Sequence, residues 1–461
     1  MPTVEEYVLR TPPGGVKRYD HEALCDLLKV DDRSRVIFEQ GVGREAIVRV
    51  YPTNPLMTMR NIRVDDLLMD DRGRIMIGTY YDGSPLSFRL FDPKTGNAQR
   101  GAVFGTTGAG KSRLVQALLV AAKRSGIVVH LADLKSGQSV PEAAGQVATR
   151  VTTQYEAILL LRGLVAEAER RMTAYAEMGR SGFVINRPDP LMYGIVDEAN
   201  RLLEKGAPFR DEAAVLIKEL GRTGRSVGVG IIIAAQAGHL EELGGSDTLR
   251  AMLKEGEVIL LRWSSAMMQQ LVGDGLIPRG EALQPILKVV GQVRRIRRYN
   301  ETASDDDDDV NSQGMLYHLT GPRPTSMART FVVGSIAPCP GYDPLILDLY
   351  GDQPPPGEPI DLQAYMTAKE RKAAHGSDQA DAETGEEADP DVTSMTTAQR
   401  ILAVLPADGM SEVDLLAALN ADGGREVRRG TLRTTISTLR GQGHLARPDG
   451  TTRVVPVPTD D

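Results

Sequence analysis

The chain has 461 residues, of which 41% are hydrophobic and 25% charged, and its formal net charge is -8 at pH 7. This length exceeds the size at which a single hydrophobic core stops growing, so we expect two or three domains. The acidic balance argues against a general nucleic-acid coat protein, and the two cysteines, Cys25 and Cys339, lack the spacing and neighbours of a disulfide framework or a zinc site.

Residues 1–74 mix short strand-like runs with turn signals such as TPPGG, and we expect a small connector domain without catalytic chemistry. The N-terminus lacks the basic and apolar regions of a signal peptide, and the longest apolar stretch, near 227–235, is too short to span a bilayer. The sequence therefore predicts no transmembrane segment in this chain and a location in the cytoplasm.

Residues 75–345 alternate between strand, loop and helix patterns, which is typical of an α/β fold with a parallel sheet flanked by helices. We expect at least five buried strands and one long amphipathic helix. The apolar runs that predict the strands lie at 102–104, 127–133, 191–198, 227–236 and 257–263, and the helix is predicted at 155–178.

The first of these strands is followed by GTTGAGKS, residues 105–112, which fits the phosphate-binding pattern G-x-x-x-x-G-K-[ST]. The glycines allow backbone N–H groups to converge on phosphate oxygens, Lys111 adds a positive charge for the β and γ phosphates, and Ser112 is a ligand for Mg²⁺. ATP and Mg²⁺ are therefore the predicted cofactors. The predicted nucleotide contacts are Gly105, Thr106, Thr107, Gly108, Ala109, Gly110, Lys111, Ser112 and Arg113.

The run LMYGIVDE ends in two adjacent carboxylates, Asp197 and Glu198. A magnesium-dependent nucleotide hydrolase needs such an acidic site downstream of its loop. We predict that Asp197 holds Mg²⁺ through water and that Glu198 polarises the attacking water, with a helix N-cap by Asp197 as the alternative. Gln236 ends the run IIIAAQ, where it either senses the γ-phosphate or is an ordinary amide at a strand end.

Two arginines, Arg222 and Arg225, precede that strand in the run GRTGRS. Ring-shaped nucleotide hydrolases use a positive charge from the neighbouring subunit to stabilise the transition state. We predict Arg225 as a catalytic residue of this kind, and for either arginine an ordinary surface position is the alternative.

The composition changes after residue 345. Residues 346–394 contain a proline-rich run and then, at 376–391, seven acidic residues and no basic one, which predicts an acidic disordered linker. Residues 395–461 contain three short amphipathic helix patterns and a hairpin signal, which together predict a winged helix.

The second half of the predicted winged helix is locally basic. Its arginines are Arg425, Arg428, Arg429, Arg433, Arg440, Arg447 and Arg453. We predict that its third helix lies in a DNA major groove, and the alternative is a winged helix that mediates protein contacts. The predicted DNA contacts are Thr431, Arg433, Thr434, Ser437 and Arg440.

Residues 75–335 resemble the motor region of the FtsK/SpoIIIE translocase family, and more narrowly the actinomycete plasmid-transfer proteins of the TraB type. The features that carry the resemblance, in family order, are GTTGAGKS, LADLKSG with Asp133 and Lys135, the helix before VDE, GRSVGVGIIIAAQ with Arg225 and Gln236, and GMLYHLTGPRP. The chain departs from the family pattern at Ala237 and Val258, which stand where arginines are common.

The resemblance implies a P-loop, RecA-like fold and an ATPase that translocates double-stranded DNA as a homohexameric ring during conjugative transfer of a plasmid or mobile element. It further implies that the terminal winged helix reads DNA repeats, and that membrane-associated transfer proteins are partners of a chain peripheral to the cell membrane. Three alternatives remain open: a type IV-like coupling ATPase for single strands, a type VII-like secretion ATPase with protein cargo, and an ATP-switched DNA-binding regulator.

Overall fold

The structure is a computed structural model, and it divides the chain into two compact units, Met1–Thr367 and Ala368–Asp461. The residues that it describes are 4–12, 20–40, 45–236, 247–262, 283–286, 288, 311–368, 370–371, 397–406, 409–421, 427, 432, 435–436, 439–440, 445–446 and 453–456.

The strands and helices of these residues follow in chain order. The strands are β1 (Glu5–Arg10), β2 (Val36–Gln40), β3 (Glu45–Val50), β4 (Arg74–Tyr80), β5 (Pro85–Arg89), β6 (Phe91–Asp92), β7 (Asn97–Ala98), β8 (Gly101–Gly105), β9 (Val128–Asp133), β10 (Thr149–Val151), β11 (Met192–Asp197), β12 (Val229–Ala235), β13 (Glu257–Leu261), β14 (Met315–His318), β15 (Met327–Thr330), β16 (Met410–Ser411), β17 (Leu445–Ala446) and β18 (Arg453–Pro456). The helices are α1 (His21–Leu27), α2 (Val64–Leu67), α3 (Lys111–Arg124), α4 (Gln154–Glu177), α5 (Asn200–Leu203), α6 (Arg210–Thr223), α7 (Asp247–Lys254), α8 (Pro344–Tyr350), α9 (Thr397–Val404) and α10 (Glu412–Ala421). In the described part of the chain, no helix is both long and apolar enough to cross a membrane.

The first unit is built around one ten-stranded sheet in the order β10-β9-β11-β12-β8-β13-β14-β15-β4-β5. The six strands from β10 to β13 are parallel, whereas β14, β15, β4 and β5 extend the sheet in antiparallel pairs. All residues of β8, β9 and β12 are buried, as in parallel sheets that helices cover on both faces. The α/β fold and the five strands expected from the sequence are confirmed.

The strand order places three chain segments side by side at one edge of the sheet. Because parallel strands all end at the same edge, the loop after β8 lies at the same edge as the residues that follow β11 and β12. In addition, β12 separates β8 from β11, so the end of β12 falls between the loop and the paired carboxylates.

A buried arginine, Arg171, joins the long helix α4 to the segments that lead into β11 and β12, at the end of the sheet opposite the loop. The Arg171 side chain is 1% exposed, and its Nε donates to Glu167 Oε1 at 2.7 Å. Its Nη1 donates to the carbonyl oxygens of Pro190 at 2.9 Å and Val227 at 3.2 Å. These bonds fix the turn at Gly224–Val227, which precedes β12, against α4.

The N-terminal residues form a smaller layer of the first unit. Strands β1, β3 and β2 form an antiparallel sheet with its own core, to which Cys25 and Val48 belong. Leu56 and Leu67, in contrast, are buried in the core of the large sheet. The separate N-terminal core therefore ends near residue 50, well before the predicted boundary at residue 74.

Residues 344–367 pack on the first unit, although the sequence analysis assigned residues 346–394 to a disordered linker. Gln116 Nε2 in α3 donates to the Tyr350 hydroxyl at 3.0 Å, and the backbone N–H of Ile360 donates to Thr149 Oγ1 at 2.8 Å. The linker prediction is therefore wrong up to residue 367, because buried side chains such as Ile346 and Tyr350 anchor a segment that also carries prolines and acids. The remainder of the predicted linker lies almost entirely outside the described residues.

The second unit has a small core of its own. Its described elements are α9, α10 and an antiparallel sheet in the order β16-β18-β17. Leu432, Ile436 and Leu439 are buried in this core at helical spacing. The first two helix patterns and the strand pairing predicted for residues 395–461 are present, while residues 447–452, between β17 and β18, lie outside the described residues.

Candidate nucleotide-binding site

The phosphate-binding loop, residues 105–112, connects β8 to α3, which begins at Lys111. Gly110 has a φ of 102°, a left-handed conformation that favours glycine. A Cβ at this position would lie only 3.2 Å from the backbone nitrogen of Gly314. That nitrogen donates to the Ala109 carbonyl oxygen at 2.9 Å, so the turn before β14 holds the loop in place.

Lys111 is held by both of the acidic residues predicted from the sequence. Its Nζ donates to Asp197 Oδ1 at 2.6 Å and to Glu198 Oε1 at 3.0 Å. The three residues are 6%, 0% and 7% exposed, in that order. One ammonium group faces two carboxylates, which leaves an excess of negative charge that a divalent cation would neutralise.

The donor atoms around Asp197 fit a magnesium ion. Its Oδ1 accepts from Lys111 and from the backbone N–H of Glu198 at 2.9 Å, whereas its buried Oδ2 has no hydrogen-bond partner among the described residues. An unpaired buried oxygen is unfavourable, and Mg²⁺ prefers such hard ligands. Ser112, in the first turn of α3, is half-buried and supplies the hydroxyl group of the predicted ligand pair.

The described residues contain no group of three or more His, Cys, Asp or Glu side chains that could hold a metal ion alone. Mg²⁺ that is bound to phosphates needs only one or two protein ligands, so the predicted site does not depend on such a group.

Glu198 is positioned by an unusual backbone conformation and by Gln236. Its φ is 54°, which is left-handed and uncommon for a residue other than glycine. Gln236 directly follows β12, and its Nε2 donates to Glu198 Oε2 at 3.2 Å. The structure thus brings together Lys111, Asp197, Glu198 and Gln236. Gln236 lies between the loop and the carboxylates because β12 lies between β8 and β11.

Other predicted loop contacts differ in their surroundings. Thr107 and Gly108 are exposed, whereas Ala109 is buried. The guanidinium of Arg113 donates to the Ser335 carbonyl oxygen at 3.1 Å and approaches Asp343 Oδ2 at 3.4 Å. The Arg113 side chain thus holds the segment that leads into α8, and its contact with the nucleotide stays a prediction.

Arg225 lies at the other edge of the sheet. It precedes β12 in the turn Gly224–Val227, whereas Gln236 follows β12, so the seven residues of this strand separate the two by about 23 Å. Arg225 therefore cannot reach a nucleotide bound by its own subunit. Arg222 is exposed and pairs with Glu219 at 3.0 Å.

Asp133, one of the family-like positions, has a structural role in this chain. It is fully buried at the end of β9, and its Oδ2 accepts from the backbone N–H groups of Ser139 at 3.1 Å and Val140 at 3.2 Å. Lys135 is exposed in the loop that these bonds organise.

The structure also places at the loop an arginine that the sequence analysis did not single out. Arg262 follows β13, and its carbonyl oxygen accepts from Thr106 Oγ1 at 3.3 Å. The available sequence signal was a charged residue directly after a buried apolar strand, but its position beside the loop depends on the pairing of β13 with β8.

The predicted DNA contacts lie mostly beyond the described structure. Thr431, Arg433, Thr434 and Ser437 are outside the described residues, whereas Arg440 is helical and exposed.

Comparison with known proteins finds sequence relatives but no matching family model. The chain is 29% identical over 226 residues to the ESX-4 secretion system protein EccC4 of Mycobacterium tuberculosis, a match that covers 44% of this chain and 18% of EccC4. It is 28% identical over 200 residues to EccC of Thermomonospora curvata, covering 39% of this chain and 15% of that protein. The matches thus span less than a fifth of either relative.

Solved structures give more distant likenesses. One is the pCW3 conjugation coupling protein TcpA with ATPγS, at 16% identity and a TM-score of 0.42, covering 58% of this chain and 76% of TcpA. Another is the cytoplasmic domain of the Thermomonospora curvata type VII secretion ATPase EccC, at 20% identity and a TM-score of 0.44, covering 67% of this chain and 34% of that one.

The glycine loop on a parallel sheet, the buried lysine and the paired carboxylates form a P-loop nucleotide-binding site. Over part of its length, the chain that carries this site is similar to the EccC proteins of ESX secretion systems.

Proposed function

We propose that the chain is an ATP-driven translocase of double-stranded DNA that works as a homohexameric ring in conjugative transfer. The observation that supports the ring is the division of the predicted catalytic residues between the two ends of the parallel strands. Lys111, Asp197, Glu198 and Gln236 share one edge, while Arg225 lies about 23 Å away at the other. A neighbouring subunit could supply its own Arg225 to the nucleotide, as ring-shaped hydrolases require.

In the proposed hydrolysis step, ATP with Mg²⁺ changes the partners of Lys111. The ammonium leaves the carboxylates for the β and γ phosphates, while Ser112 and Asp197 are the residues that would hold the ion. Bound Mg²⁺ neutralises the charge that develops on the phosphates. Glu198, released from Lys111, accepts a proton from the attacking water, and Gln236 holds the Glu198 carboxylate in position.

DNA as the cargo is supported by the local charge of residues 425–453, which lie in the second unit. The arginines of residues 425–453 make this part of an acidic chain locally basic, as in DNA-binding domains. We propose that residues 395–461 form a winged helix that selects a DNA repeat, with Arg440 among its exposed contacts. The ring would then move along the duplex through contacts with the phosphate backbone, which do not read the bases. We place this assembly in the cytoplasm or at the inner side of the cell membrane, next to transfer proteins.

A protein-secretion ATPase is the second candidate, because the sequence relatives are named as components of ESX secretion systems. The basic stretch at residues 425–453 favours nucleic acid over protein as the cargo.

A triplex-displacement assay tests the motor. The full chain with ATP and Mg²⁺ is expected to displace a triplex-forming strand from duplex DNA, and duplex DNA is expected to raise ATP turnover several-fold. The Lys111→Ala variant serves as the inactive control. ATP turnover without displacement, and without stimulation by duplex DNA, would instead favour the secretion ATPase or a DNA-binding switch.

A truncated chain tests sequence selection by the second unit. The cut belongs after Thr367, because residues 344–367 pack on the first unit. The truncated chain is expected to keep its basal ATP turnover and to lose the preference for one repeat in a selection from random duplexes. If the truncated chain selects the same repeat as the full chain, sequence recognition lies in the first unit.

A further inference from the structure

Arg262 is placed beside the phosphate-binding loop by the pairing of two strands. Strand β13 runs parallel to β8, with Leu261 opposite Gly105, so the next residue along β13 meets the start of the loop. The carbonyl oxygen of Arg262 accepts from Thr106 Oγ1 at 3.3 Å. Its φ of 34° turns the chain at this point, directly after the strand.

The Arg262 guanidinium is buried without a carboxylate partner. The residue is 6% exposed, and its Nε donates to Ser312 Oγ at 3.1 Å and its Nη2 to Asn311 Oδ1 at 2.6 Å. Both acceptors are neutral, and no ion pair of Arg262 occurs among the described residues. Burial lowers the pKa of Arg262. A buried cation without a countercharge is unfavourable, and the cost is greater when one of its N–H groups also lacks an acceptor.

The remaining guanidinium nitrogen is directed at the loop. A Cβ on Gly108 would lie 3.6 Å from Nη1 of Arg262, and Nη1 makes no hydrogen bond within the described part of the chain. Gly108 itself is exposed. The free N–H groups of Arg262 therefore lie at the part of the loop where phosphate oxygens approach the backbone.

A second buried arginine, Arg329, contacts the same turn at residues 311–314, but all of its nitrogens have acceptors within the protein. Arg329 is 4% exposed, and its nitrogens donate to the carbonyl oxygens of Gln313 at 3.0 Å, Leu56 at 2.6 Å and Asn311 at 2.7 Å. All three of its nitrogens are used within the protein, so Arg329 is a structural residue.

We propose that Arg262 is a second phosphate-binding cation of the nucleotide site, which donates from Nη1 to phosphate oxygens of ATP held beside Gly108. Lys111 is already neutralised by Asp197 and Glu198, so Arg262 carries the unmatched positive charge that meets the incoming polyphosphate. A guanidinium suits this task because its fixed fork of N–H groups matches phosphate geometry. The inference deepens the nucleotide part of the proposed function and does not depend on DNA.

The test removes the positive charge of Arg262 but keeps a side chain that can donate hydrogen bonds. In the full chain, Arg262→Gln is expected to weaken the binding of ATPγS with Mg²⁺ at least about tenfold, measured by isothermal titration calorimetry. Arg262→Lys keeps a positive charge and is expected to retain most of the affinity. Without nucleotide, the thermal midpoint of Arg262→Gln is expected to equal or exceed that of the parent, because the substitution removes a buried charge together with an N–H group that has no acceptor among the described residues.

Arg329→Gln is the matched control, since it removes an arginine that contacts the same turn but has no free nitrogen. It is expected to lower the thermal midpoint without nucleotide and to leave the ATPγS affinity within about twofold. If Arg262→Gln behaves as this control does, Arg262 is only a brace for the turn, and the proposal is wrong. No DNA enters the experiment, so its failure leaves the translocase proposal standing, and a failed displacement assay leaves Arg262 as proposed.

Discussion

Replacing Lys111 by methionine is expected to abolish ATP hydrolysis and to destabilise the protein even when no nucleotide is added. The ammonium is the shared hydrogen-bond donor of Asp197 and Glu198, at 2.6 and 3.0 Å, and both carboxylates are buried. Removing it leaves two neighbouring buried negative charges, which costs about 3–5 kcal/mol of the free energy of unfolding. Turnover is expected to fall at least about a hundredfold, because the phosphates lose a positioned cation. Steady-state ATPase assays and denaturant unfolding of the same preparation measure the two effects.

Lys123→Met is the matched control for Lys111→Met. Lys123 is in the same helix, α3, and is 8% exposed, but its Nζ donates to the neutral oxygens of Gln146 at 2.5 Å and Gly351 at 3.1 Å. Its loss is expected to cost only about 1–2 kcal/mol and to leave ATP turnover intact. Equal destabilisation by the two substitutions would show that the charge of Asp197 and Glu198 is not the cause. ATP turnover by Lys111→Met near the parent rate would remove Lys111 from the hydrolysis site.

The parallel half of the sheet could be predicted from the sequence because each of its central strands is a continuous apolar run. Strands β8, β9, β11, β12 and β13 coincide with such runs, and each run begins and ends near a turn or loop signal. The antiparallel half could not be predicted in the same way. Strand β15 pairs with β4, which lies about 250 residues earlier in the chain, and no local pattern specifies a pairing of that kind.

The segment at 344–367 shows why a composition signal failed. It contains five prolines and four acids, residue types that are typical of linkers. Its order depends on Ile346 and Tyr350, which are each 1% exposed, and on backbone bonds such as that of Ile360 to Thr149. A few large side chains hardly change the average composition of a segment. When they are buried, however, they remove enough apolar surface from water to hold a short segment against the rest of the first unit.

Local sequence patterns likewise predicted only part of the candidate site. Motif spacing predicted Lys111, Asp197, Glu198 and Gln236, and the structure brings them within hydrogen-bond distance, while their roles stay predictions. Arg262 belongs to no motif, because its position depends on strand pairing and its bonds reach a turn about 50 residues later.

Glu198→Gln is expected to slow ATP hydrolysis at least about a hundredfold while ATP binding is preserved. Gln is nearly the same size, so it can keep the contact with Lys111 and the backbone conformation at φ 54°. It cannot take a proton from water, which is the role we assign to the carboxylate. ATP affinity is expected to stay equal or to rise, because one of the two charges that compete with the phosphates for Lys111 has been removed. Single-turnover hydrolysis and equilibrium ATP binding measure these two quantities separately.

Asp197→Asn distinguishes the role of Glu198 from that of its neighbour. Asp197 is the predicted magnesium ligand, and its Oδ2 is buried and unpaired among the described residues. The Asn variant is therefore expected to need a higher magnesium concentration for half-maximal ATP binding, a requirement that Glu198→Gln does not share. Unchanged turnover in Glu198→Gln would exclude Glu198 as the general base, and a raised magnesium requirement in Glu198→Gln would make it a metal ligand instead. The two carboxylates are adjacent in sequence and share one lysine, so only this separation of hydrolysis from metal dependence tells their functions apart.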